Sequence, residues 1–115
     1  MANTFKNSWK ADVDHSATAD IYTSPSATQS ILIGMTLTNK TSGNITATVT
    51  LFDSATGTTP ATASVVFLNA VNIPPNTALE IMRGNKIVLE TGDKVQVQAS
   101  AASSLNVFCS VLEIT

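Results

Sequence analysis

Charged residues are scarce in this chain: Lys, Arg, Asp and Glu make up 12% of its 115 residues, against about 25% in an ordinary soluble domain. The six cations, Lys6, Lys10, Lys40, Arg83, Lys86 and Lys94, are scattered along it and the net charge is -2. Nucleic-acid affinity rests on grouped cations that neutralise phosphates, so no nucleic-acid partner is expected. Long apolar runs are missing too. Ile31-Leu32-Ile33 and Val65-Val66-Phe67-Leu68 fall far short of the ~20 residues that cross a bilayer, so no membrane partner is expected either. The opening Met1-Ala-Asn-Thr-Phe-Lys holds no charged segment followed by an apolar one, and use without classical export is the expectation. A single cysteine, Cys109, excludes an internal disulfide and fits folding in a reducing cytoplasm. Helical periodicity is absent as well: no segment repeats apolar residues at i, i+3, i+4 and i+7 over more than two turns, and residues 12–19 manage one turn at most.

What the chain has is alternation. From Gln29 to Asn39, Ile31, Ile33, Met35 and Leu37 alternate with Leu32, Gly34, Thr36 and Thr38, a period of two that puts four apolar side chains on one face of a strand. After the turn cluster Lys40-Thr-Ser-Gly43, residues 44–52 resume it with Ile45, Ala47, Val49 and Leu51 against threonines, and the two segments read as an antiparallel hairpin. The outward threonines suit an exposed pleated face, being β-branched and able to pair across strands without charge. Gly57 and Pro60 mark a loop, and the apolar run of residues 63–73 reads as a strand buried on both faces. Pro74-Pro75-Asn76 forces a turn, because proline has no N–H to give to a ladder. Short strands follow at Leu79–Ile81 and Lys86–Leu89, with tight turns at Gly84-Asn85 and Glu90-Thr-Gly-Asp93, the latter using Gly92 at a positive backbone angle. Val95, Val97 and Ala99 alternate with Gln96 and Gln98. Over residues 104–114, Leu105, Val107, Cys109 and Val111 line one face and Phe108, Leu112 and Ile114 the other, so both faces of that strand are expected to be covered.

These segments predict an all-β fold: a single antiparallel β-sandwich of six to eight strands, jelly-roll or immunoglobulin-like, formed by residues 29–115. Residues 1–28, with Ser16-Ala-Thr-Ala19 and Ser24-Pro-Ser-Ala27, form an irregular N-terminal arm or edge segment. A weakly charged exterior promotes association, so part of the surface is expected to be covered by a neighbouring subunit.

Equipment for chemistry is sparse. His15 is the only histidine, so no Ser-His-Asp or Cys-His arrangement exists without it, and Cys109 sits mid-strand, where a cysteine is a small core residue. Asp12-Val-Asp14-His15 offers three cation ligands, but in an extended strand His15 points away from the two carboxylates, and no metal site or cofactor is assigned. Nothing in the spacing of Glu80, Glu90, Asp93 and Glu113 selects a catalytic pair; Glu90 and Asp93 are expected to bond turn amides, and Glu80 and Glu113 to pair with Arg83 or Lys86. No enzyme is predicted. Asn39-Lys-Thr and Asn44-Ile-Thr match the glycosylation pattern but read as hairpin-tip residues. Phe5, Trp9 and Tyr22 concentrate aromatic surface in the N-terminal third. They are the candidate partner contacts, with anchoring of that segment onto the sandwich, or a carbohydrate platform, as the other readings.

At Ile73-Pro-Pro-Asn-Thr-Ala-Leu-Glu-Ile-Met82, Lys86-Ile-Val-Leu-Glu-Thr-Gly-Asp-Lys-Val-Gln-Val-Gln98, and Ser103-Ser-Leu-Asn-Val107 to Val111-Leu-Glu-Ile114, the chain resembles small virion structural proteins of tailed bacteriophages, those of marine and cyanobacterial hosts in particular. The resemblance implies a self-assembling particle component, made in the host bacterial cytoplasm, located in the virion and free of disulfides. The expected role is a capsid decoration or cement protein, bound to the major capsid protein or another virion protein as a homo-oligomer, with a trimer favoured. A neck, tail or fibre-base component is the alternative, and a carbohydrate-binding module a remote one.

Overall fold

In the computed structural model, which describes residues 3–53, 64–82 and 86–115, the strands pair in nested order. They are β1 (Asn3–Lys10), β2 (Ala19–Thr23), β3 (Gln29–Asn39), β4 (Ile45–Phe52), β5 (Ser64–Ile73), β6 (Ala78–Glu80), β7 (Ile87–Leu89), β8 (Lys94–Ala99) and β9 (Leu105–Ile114). Innermost, β4 pairs with β5; outside it β3 pairs with β6 and β7, then β2 with β8, then β1 with β9, all antiparallel. This long doubled ribbon is rolled up so that β3 also meets β9 and β4 also meets β8. Two sheets result, β1-β9-β3-β6 with β7 beside β3, and β2-β8-β4-β5.

Rolling of one nested ribbon into two packed sheets is the jelly roll. An immunoglobulin sandwich would hydrogen-bond several consecutive strand pairs, whereas among the described residues only β4 and β5 do so. Strands β6 and β7 bond successive stretches of the same flank of β3, so nine strands fill eight positions.

Alternation places the core. Ile45, Ala47 and Val49 of β4, Val95, Val97 and Ala99 of β8, and Leu105, Val107, Cys109 and Val111 of β9 point inward and are buried, as their period of two requires. In β3 the period breaks. The register with β9 shifts between Leu32 and Gly34, leaving Ile33 as the extra residue of a bulge. Leu32, Met35 and Leu37 are buried while Ile31 and Ile33 are only partly covered, so the expected row of Ile31, Ile33, Met35 and Leu37 is split across two faces.

Four further expectations are corrected. Strands β3 and β4 are not a hairpin; they lie in opposite sheets, and residues 40–44 carry the chain across. The device is Asn39, fully buried, whose Nδ2 donates to the carbonyls of Gly43, Ile73 and Pro74 and whose Oδ1 accepts from the N–H and hydroxyl of Thr41. Asn39 is therefore a buried hub rather than a hairpin tip. Strand β5 is not buried on both faces but forms the outer edge of its sheet, with most of its side chains exposed. The outer face of the last strand is covered only in part: Leu112 and Ile114 are partly buried, but Phe108 is exposed.

The turn chemistry follows the sequence where it is visible. Gly92 has φ 87° and Asn76, after the two prolines, φ 52°. The N–H of Glu90 donates to Asp93 Oδ2 at 3.0 Å and the N–H of Asp93 to the Glu90 carbonyl at 2.9 Å. The loop expected at Gly57 and Pro60, the turn at Gly84-Asn85, and Arg83 lie outside the described residues.

Candidate interaction surface

Register across the first sheet assembles an apolar outer face from four strands. Phe5 of β1 stands opposite Leu112 of β9, Leu112 opposite Ile31 of β3, and Ile31 opposite Val88 of β7. A second row, parallel to it, runs from Trp9 to Phe108, Thr36 and Glu80. Residues opposite one another point to the same side of a sheet, and Phe5 and Trp9, four apart on one strand, share that side. The three aromatics are Phe5 at 76% exposure, Trp9 at 66% and Phe108 at 47%.

Phe108 separates two shallow hollows. One, about 280 Å³, is lined by Trp9, Lys10, Thr36, Thr38, Asn106 and Phe108 among others; the other, about 290 Å³, includes Phe5, Asn7, Phe108 and Ser110. Between the apolar rows lie only the small or neutral residues Asn7, Ser110 and Gly34. The carboxylate of Glu80 is engaged within the chain, Oε1 accepting from the N–H of Met82 at 2.6 Å and Oε2 from the Thr36 hydroxyl at 3.5 Å.

Of the aromatics singled out in the sequence, the fold brings Phe5 and Trp9 to this face. It takes Tyr22 elsewhere. Tyr22, on β2 in the other sheet, is half-buried, and its hydroxyl donates to Glu113 Oε2 at 2.5 Å and shares a hydrogen bond with Ser30 at 2.8 Å. Burial, reinforced by the neighbouring carboxylate, pushes the Tyr22 hydroxyl up to about 12. Glu113 also pairs with Lys6 at 3.4 Å, and the β1–β9 register, closed between distant parts of the chain, sets that pairing; of the two cations expected to meet it, Arg83 lies outside the described residues. Phe108 and Val88 were not among the residues the sequence marked. Phe108 was legible as the residue out of phase with Val107 and Cys109, but only to a reader who took the outer face of β9 as open.

The residues with chemical potential are otherwise engaged. Cys109 is fully buried, and burial pushes its thiol up to about 11. Asp12 forms an ion pair with Lys40, and Asp14 Oδ1 accepts from the N–H and hydroxyl of Ser16, which hold its carboxyl below the usual range. His15 Nδ1 lies 3.8 Å from Asp14 Oδ1 on an open surface. Carboxylate oxygens of Asp53, Glu90 and Asp93 come within 4.8 Å of one another, and there Asp93 serves the turn described above.

No family model matches this chain, and no curated protein sequence does. Among solved structures it is similar to a chain from the disulfide-linked pili of Bacillus endospore appendages, at 17% identity over 98% of this chain and 88% of that one, with a TM-score of 0.53. Fainter similarity links it to a chain of the cyanophage Pam1 capsid asymmetric unit, at 15% identity, 96% and 84% coverage and a TM-score of 0.38. A chain of the Macrobrachium rosenbergii extra small virus particle, from the giant freshwater prawn, gives 18% identity, 98% and 79% coverage and a TM-score of 0.39. The likeness to the pilus chain is one of fold.

Proposed function

We propose that this chain is a non-enzymatic structural subunit of a phage virion, a capsid decoration protein that joins the shell as an oligomer. The observation that carries the reading is the open aromatic face built by Phe5, Trp9 and Phe108, on a chain whose surface holds little charge to keep neighbours apart. The jelly roll is a fold that capsid proteins use among others, and residues 73–114 carry the resemblance to phage virion proteins.

The mechanism is burial. At about 200 Å² for a whole aromatic side chain, the exposed parts of the three rings come to roughly 400 Å², or about 10 kcal/mol of gross hydrophobic stabilisation at ~25 cal/mol per Å². Association opposes this with an estimated ~4–15 kcal/mol of lost freedom. One contact is therefore marginal, and several copies acting together hold far more tightly than one. Assembly here is non-covalent: the one cysteine of these residues is buried with a raised thiol, so the disulfide linkage of the similar pilus chain has no counterpart at Cys109.

Copy number tests the role. Band intensities from purified virions are expected to give hundreds of copies per particle; three to about a dozen would favour a neck, tail or fibre-base component and sink the decoration reading. Glycan-array binding that disappears on Trp9→Ala would instead support a carbohydrate platform.

A further inference from the structure

Among the described residues, the sandwich exposes apolar surface in two places. The first is the face bearing Phe5, Trp9 and Phe108. The second is the free edge strand β5, where Val65 at 62% and Val66 at 52%, on opposite faces of the strand, stand open beside Phe67, so that this edge is apolar on both sides. Free sheet edges are normally kept apart by charge or proline, yet Ser64 to Ile73 contains neither, while β1, at the edge of the other sheet, carries Lys6 and Lys10. Residues 64–66 pair regularly with β4; one register shift follows directly, leaving Phe67 as an extra residue between Val66 and Leu68, and a second lies further on, facing Ala47 to Val49, with a φ of 48° at Ala70.

The two patches are on opposite flanks. Strand β1 packs near β2 at one side of the sandwich; β5 ends the other sheet at the far side, where Leu68 and Val71 line a hollow with Leu79 and Ile81 near β6. A single chain therefore cannot cover one patch with the other.

We infer that the β5 patch of one copy seats on the Trp9–Phe108 face of the next, in a head-to-tail contact between copies of this chain. This rests on the self-assembling role proposed above and specifies its surface. A two-fold contact through either patch leaves the other open on both copies; the head-to-tail contact covers both with one kind of interface. Strand β5 carries no charge into the contact, and the cations bordering the hollows of the aromatic face are Lys6, paired with Glu113, and Lys10. Together the two patches offer on the order of 700 Å² of apolar surface, against roughly 900 Å² in an interface of standard size. Such contacts close into a ring when the rotation between copies allows and otherwise extend as a filament.

Complementation by mass decides it. Trp9→Glu blocks the face and Val66→Asp blocks β5. Native mass measurement is expected to show the wild type assembled beyond a dimer, each variant alone as a monomer, and their equal mixture as a heterodimer, since one intact face then meets one intact β5. Formation of the heterodimer shows at the same time that both variants fold. Where either variant melts below the wild type, Phe5→Ser and Val65→Ser carry the same test with a milder change. A Val66→Asp protein that still dimerises alone, or a folded pair that stays monomeric when mixed, overturns the inference. Adding wild-type protein to particles that lack it separates the two readings: a monomer that saturates the shell refutes only the head-to-tail contact, and a head-to-tail assembly that binds no particle refutes only the virion role.

Discussion

The Tyr22 hydroxyl on β2 reaches across the sandwich to the Glu113 carboxylate on β9, at 2.5 Å. It joins a buried polar cluster in which Ser30 bonds both Tyr22 and Ser24, at 2.8 and 2.9 Å, while Lys6 approaches the other oxygen of Glu113. Four strands, β1, β2, β3 and β9, are tied at one end of the molecule this way. Hydrogen bonds to a charged group contribute about 1.5–3 kcal/mol, because losing one leaves the buried ion less satisfied. Tyr22→Phe is therefore expected to lower unfolding free energy by about 2 kcal/mol in urea titration, with an unchanged m-value. A loss under 0.5 kcal/mol would mean that water replaces the contact.

The same tyrosine sets a response to alkaline pH. Its hydroxyl ionises near 10.0 in a model peptide and near 12 in the fold, chiefly because burial disfavours the phenolate. The native state thus keeps a proton that the unfolded chain releases, so the stability it carries is fully present below about pH 10 and falls as pH rises from about 10 to 12. Cys109, raised from 9.0 to about 11 by burial, adds a loss of the same sign between about 9 and 11. Thermal melts are expected to drop across this range, and Tyr22→Phe to flatten the part above pH 10 while starting from a lower melting temperature at pH 7. Parallel curves for the two proteins would refute the assignment.

Asn39 ends β3 with all of its side-chain hydrogen-bonding capacity spent on five protein groups, two of them carbonyls more than thirty residues away. Removing it strands buried carbonyls, each worth about 1–3 kcal/mol when unsatisfied. Asn39→Ala is expected to cost about 3 kcal/mol or more in denaturant midpoint analysis, and Asn39→Asp, which replaces two donors by an acceptor facing three carbonyls, at least as much. The neighbouring acceptor-pattern residue Asn44 is exposed, and Asn44→Ala is expected to change stability by less than about 0.5 kcal/mol.

Much of the sandwich was legible because alternation is a local signal: the valines of β8 and the alanine and valine of β4 report the inner face with no knowledge of partners. What was hidden is what a partner decides. Nothing between residues 29 and 52 states that β3 and β4 go to different sheets, since the bonds that separate them run from Asn39 to residues 73 and 74. The apolar run of β5 looks like a central strand because composition does not record which strand ends a sheet. For the aromatic face, Phe5 and Trp9 were visible as aromatics, but their union with Phe108 and Val88 depends on the β1–β9 and β3–β7 registers.

Strand β3 allows a direct trial of sequence parity against the bulge. Strict alternation puts Ile31 inside with Met35 and leaves Leu32 outside; the bulge at Ile33 reverses both. Leu32→Ala, which would open a cavity among fully buried side chains, is expected to cost about 2–5 kcal/mol. Ile31→Ala, on the partly covered outer face, is expected to cost about 1 kcal/mol or less. The reverse order, measured by chemical denaturation, would place the bulge elsewhere.

Trp9 is the only tryptophan of the chain and is 66% exposed, so its fluorescence reports directly on the aromatic face. In dilute solution its emission is expected to lie at the long-wavelength position of a hydrated indole. If this face is where copies meet, raising the concentration shifts the emission to shorter wavelength as water leaves the ring, in step with the rise in mass, and acrylamide quenching falls with it. The Val66→Asp protein, whose own tryptophan face is untouched, is expected to keep the hydrated spectrum at every concentration. A mass increase without any spectral change would put the contact on a surface that excludes Trp9.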